Sequence, residues 1–153
     1  MSIELDRDIF YLPKVVQNQG GTVAEINYGL LCITDENLYY IPKQTLDVKQ
    51  IGLSSWYEVK NQKVKKYEGM KFEEVIPEVA KDANGKEEFE EFLTGMAQGI
   101  EGSRIIRLAE IHQCQFGYFS QFTFFKGEEK YKFSVGGKKK REAIKMFLQG
   151  RCS

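Results

Sequence analysis

Apolar residues are spaced in different ways along this chain, and each spacing predicts an element. The densest part is the last fifty residues, where apolar-rich runs at 104–114, 116–125 and 130–135 follow in quick succession. In the third run Tyr131, Phe133 and Val135 alternate with Lys130, Lys132 and Ser134, the period of a strand with one buried face. Phe122 and Phe124 share a face opposite Thr123 and Phe125, and Lys126-Gly127-Glu128-Glu129 reads as the hairpin turn between the two strands. Gly117, close to where the first run gives way to the second, predicts a bulge or bend. After Gly136-Gly137 the period lengthens, with Ala143, Ile144, Phe147 and Leu148 on one helical face. Residues 104–149 are therefore expected to form an antiparallel meander closed by a C-terminal helix.

The first half predicts a further hairpin. Val23, Ile26, Tyr28, Leu30, Leu31 and Ile33 make one β-rich run, and Leu38, Tyr39, Tyr40 and Ile41 make a second across the polar connection Thr34-Asp35-Glu36-Asn37. Pro42 is expected to terminate the second strand, since it has no N–H to give a ladder. Leu46, Val48 and Ile51 suggest a short third run. Before the hairpin, residues 1–13 read as a short helix or an extended arm ended by Pro13, and residues 17–21 as a turn.

Between about 54 and 100 the pattern turns helical. Ser55-Trp56-Tyr57-Glu58 matches a capping box, with Leu53, Trp56, Tyr57, Val64 and Tyr67 near one helical face, although Tyr57 and Val59 also alternate as in a strand. Phe72, Val75, Ile76, Val79 and Ala80 predict a helix to Asp82, with Pro77 kinking it or marking a first turn. After the turn at Asn84-Gly85, the stripe Phe89, Phe92, Leu93, Met96, Ala97 and Ile100 predicts another helix. Glu87 and Glu88 suit the positive end of its dipole.

Composition narrows the function classes. The chain of 153 residues has 22 basic and 22 acidic side chains and so no net charge, which argues against a nucleic-acid binder, where a basic excess is usual. Its length fits a single domain. Three cysteines, Cys32, Cys114 and Cys152, have no paired spacing, so reduced thiols and a cytoplasmic setting are expected rather than a disulfide framework or a zinc ribbon. The N-terminal residues are too acidic for a signal peptide, and no apolar run is long enough for a membrane span.

Candidate chemistry is sparse. His112 and Cys114 would share one face of a strand, but no third residue marks an orienting partner, and both read as structural. With one histidine in the chain, metal sites and proton shuttles have little to work with, so no catalytic, metal or cofactor residue is assigned and no enzymatic activity is expected. Glu73, Glu74, Glu78, Glu87, Glu88, Glu90 and Glu91 read as a solvated helical face. The glycine pairs carry no phosphate-loop pattern. The cations Lys138, Lys139, Lys140 and Arg141 open the last helix, where the dipole disfavours them, and are candidates for holding an anionic lipid or phosphate. Lys60, Lys63, Lys65 and Lys66 make a second cluster.

Gly29-Leu30-Leu31-Cys32-Ile33-Thr34, the turn Asp35-Glu36-Asn37 and Leu38-Tyr39-Tyr40-Ile41 resemble the opening strands of the pleckstrin-homology-like superfold, in particular GRAM-type and bacterial PH-like domains. Ile106-Arg107-Leu108-Ala109-Glu110-Ile111, the hairpin around Gly127 and the helix 141–148 are similar to the closing part of such domains. The resemblance implies an α+β fold: a PH-like antiparallel barrel or bent sheet built from 22–53 and 104–149, a helical insertion at 54–103 and a C-terminal capping helix. It further implies a non-enzymatic module that binds a protein or peptide, with Trp56 and Tyr57 as candidate anchors because such rings are favoured at hot spots. The alternative is a peripheral membrane or phosphoinositide-binding domain using Lys138, Lys139, Lys140 and Arg141. Lipid-binding PH domains typically carry a basic turn between their first two strands, and the acidic Asp35-Glu36 departs from that.

Overall fold

The computed structural model describes residues 7–17, 28–42, 72–100, 102–116, 121–134 and 138–148. The third β run, the capping box at Ser55, the anchors Trp56 and Tyr57, the cluster at Lys60–Lys66, the break at Gly117 and Cys152 lie outside these residues.

The fold is α+β. Its elements, in chain order, are β1 (Phe10–Gln17), β2 (Tyr28–Ile33), β3 (Asn37–Pro42), α1 (Phe72–Asp82), α2 (Lys86–Gly99), β4 (Arg104–Arg107), a 3-10 turn (Leu108–Glu110), β5 (Ile111–Phe116), β6 (Gln121–Lys126), β7 (Glu129–Ser134) and α3 (Lys138–Leu148). All strand pairs are antiparallel, in the order β4-β3-β2-β1-β7-β6-β5. Among the described residues, a four-stranded and a three-stranded half meet at two residue pairs, Val16 with Ser134 and Gln17 with Phe133. Among the described residues β4 and β5 do not pair, so the strands form no closed barrel. They are joined instead by the 3-10 turn. The Leu108 N–H, donated to Glu36 O at 2.8 Å, holds that turn to the β2–β3 connection.

The apolar runs of β2 and β3 are continuous rather than alternating because both their faces are covered. Leu30, Cys32, Tyr39 and Ile41 pack against Val75, Ile76, Val79 and Ala80 of α1 and Phe89, Phe92, Leu93 and Met96 of α2. Leu31, Ile33, Leu38 and Tyr40 face a second core, completed by Ile106 of β4, by Ile111, Phe122, Phe124 and Phe133 from the other half and by Ile144, Phe147 and Leu148 of α3. Helix α3 thus seals the space enclosed by the two halves, while α1 and α2 cover the outside of the four-stranded half. Within the expected α3 face, Ala143 is exposed and the other three residues are buried.

Strand β1 departs from expectation. Pro13 does not end an N-terminal arm but lies inside the strand, where three residues of β1 advance against two of β2 between Leu12 and Val15. A bulge leaves a residue without a ladder partner, so it is a place where a proline costs no hydrogen bond. The bulge also moves the inward position from 14 to 15: Phe10, Leu12 and Val15 all face the second core. The 104–114 run likewise divides into two strands around the 3-10 turn. In β5 a second bulge lies between His112 and Gln115, and Gln113 adopts φ 54°.

Pro77 sits within α1 without ending it. Having no N–H, it leaves the carbonyl of Glu73, four residues earlier, without its helical donor. The Tyr11 hydroxyl of β1 donates to that oxygen at 2.5 Å. Gly29 in β2 is fixed by close approach: a Cβ there would lie 2.6 Å from the Tyr40 ring and 2.7 Å from Ile41 O. Gly127 supplies φ 61° at the tip of the β6–β7 hairpin, where Lys126 pairs with Glu129.

Candidate functional site

A cleft of about 410 Å³ lies where the β2–β3 turn, the residues entering β1 and the first turn of α2 come together. Each part is locally determined. In the turn, Thr34 Oγ1 accepts the N–H groups of Glu36 at 3.2 Å and Asn37 at 3.1 Å, and the Thr34 N–H is donated to Asn37 O at 2.9 Å. Threonine commonly closes a turn this way, and here it leaves Asp35 and Glu36 exposed beyond the strands. At α2, Gly85 takes φ 127° at the N-cap, and the Asn84 N–H is donated to Glu88 Oε2 at 2.9 Å. That brings Lys86, Glu87 and Glu90 to the cleft.

Ile9 and Phe89, each 1% exposed, give the cleft an apolar floor. Among the described residues its rim carries five carboxylates, Asp8, Asp35, Glu36, Glu87 and Glu90, against one cation, Lys86. Lys86 is ion-paired with Asp35, and Asp8 with Arg7 at 2.8 Å. The resulting field favours cations and repels phosphates.

Of the glutamates expected on a solvated helical face, Glu73, Glu78, Glu88 and Glu90 are half-buried, which corrects that expectation, and Glu90 is in addition tied to the sheet. It accepts hydrogen bonds from the Tyr39 hydroxyl and, at 3.3 Å, from Asn37 Nδ2. Thr94 Oγ1 lies 3.3 Å from the Tyr39 oxygen, and because the tyrosine proton is directed at Glu90, Thr94 is the donor there. Burial, reinforced by the bond to Glu90, holds the Tyr39 hydroxyl protonated beyond the ordinary tyrosine range. Tyr11 is shifted the same way, first by burial. These hydroxyls tie helices to sheet and are not poised to exchange protons.

The residues singled out in the sequence are not brought together. Lys138, Lys139, Lys140 and Arg141 all fall in the first turn of α3, which belongs to the second core, across the four-stranded half from the cleft. Lys139 is exposed. His112 and Cys114 do not share a face: the β5 bulge separates them, Cys114 packs on the second core, and His112 stacks on Phe125 at 6.4 Å between ring centroids. Cys32 is fully buried, and burial raises its thiol pKa. Among the described residues no group of three or more His, Cys, Asp or Glu side chains is placed to hold a metal ion. None of the helices among them is long and apolar enough to cross a membrane. Comparison with protein-family models, with curated proteins and with solved structures found no match to this chain.

Proposed function

We propose that this chain is a non-enzymatic interaction module of PH-like architecture, and that the cleft between the β2–β3 turn and α2 receives a basic segment of a protein or peptide. The observation that carries the reading is the pairing of an apolar floor, Ile9 and Phe89, with a rim of five carboxylates and one lysine. A concave apolar site with a few convergent polar groups is where a ligand gains most, and the excess of one charge sign selects its partner. Strand order, an α-helix following the last strand, and the covering of the inner core by that helix support the PH-like reading. Helices α1 and α2, between β3 and β4, are the addition to it. A lipid surface is favoured less, because the turn that is typically basic in lipid-binding PH domains carries Asp35 and Glu36 here.

The test is fluorescence anisotropy with a labelled Lys/Arg-rich peptide and a Glu-rich control. The basic peptide is expected to bind at low salt and the control not to bind. Neutralising Asp35, Glu36 and Glu87 together (D35N, E36Q, E87Q) removes three exposed charges, each worth about 0.5 kcal/mol, and is expected to weaken binding about tenfold. No binding, or binding indifferent to the triple variant, overturns the reading. Pelleting with anionic vesicles that is lost on changing Lys138, Lys139, Lys140 and Arg141 to Ala, in a chain that binds no basic peptide, replaces it with the membrane reading.

A further inference from the structure

We draw no further inference here: the strongest candidate, the acidic cleft between the β2–β3 turn and the first turn of α2, belongs to the site already described, and no second feature of the structure names a ligand for it.

Discussion

At Pro77 and Tyr11, two residues with no evident relation in sequence compensate one another. The proline removes a donor from α1, and the tyrosine hydroxyl replaces it from β1. Changing Tyr11 to Phe should therefore cost about 1–3 kcal/mol, the usual penalty for stranding a buried acceptor. The cost should shrink when Pro77 is also changed to Ala, which restores the helical N–H. A double-mutant cycle in urea reads the coupling directly, and additive costs would show that the two residues act independently. Gly29→Ala should destabilise by about 1–3 kcal/mol through overpacking against Tyr40 and Ile41, seen as a lower urea midpoint. The hydroxyls also set a pH limit. For Tyr11 and Tyr39 the folded state raises the pKa, so their contribution is complete below the unfolded value of about 10 and is lost as pH rises toward the folded one. Thermal unfolding should show a stability that declines above about pH 10, and Tyr39→Phe should make that decline shallower. An unchanged slope would remove Tyr39 from the account.

At the scale of elements, the two bulges determine what the strands present. In β5, Gln113 holds a left-handed backbone conformation that glycine adopts without strain. Gln113→Gly is expected to raise stability by up to about 1 kcal/mol in chemical denaturation, and a loss would mean that the side chain compensates. Bulges also mark where sequence reading stopped. Helix α2 was legible because Phe89, Phe92, Leu93, Met96 and Ala97 keep one period and are all buried. The β2–β3 hairpin was legible because strands covered on both faces make unbroken apolar runs. Strand β1 was hidden, since the shift from position 12 to 15 breaks its alternation and Pro13 reads as a stop. His112 and Cys114 looked co-facial for the same reason, as two-residue spacing guarantees a shared face only in a regular ladder. The short β4, with exposed Arg104 and Arg107 around Ile105 and Ile106, is a charged edge of the kind that resists self-association.

At the scale of the whole molecule, neutral overall charge conceals a strong local imbalance. The carboxylates of the cleft come from three separated stretches, around residue 8, at 35–36 and at 87–90, so no window of sequence displays them together. Glu90 could be counted among the helical glutamates, but its bonds to Tyr39 and Asn37 depend on α2 packing against β3. In the cleft, Lys86 competes with any incoming cation for Asp35. Lys86→Met should tighten binding of the basic peptide by roughly two- to fivefold at low salt, the scale of an exposed ion pair. The gain should fade as salt is added, since the charges are exposed. Equal or weaker binding in anisotropy would mean that Lys86 supports the site instead of occupying it.

The junction of the two halves has a consequence for how the chain reaches this state. Val16 and Ser134 are joined across well over a hundred residues of sequence. Closing a loop of that length carries an entropic cost that must be met before the contacts beyond it contribute. The hairpin β2–β3 and the meander β5–β6–β7 are local and can form early, whereas the sheet becomes continuous only when the first strand meets the last. During synthesis β1 therefore keeps one edge open until β7 has emerged, and a chain halted before residue 134 would carry an unpaired strand edge able to join another chain.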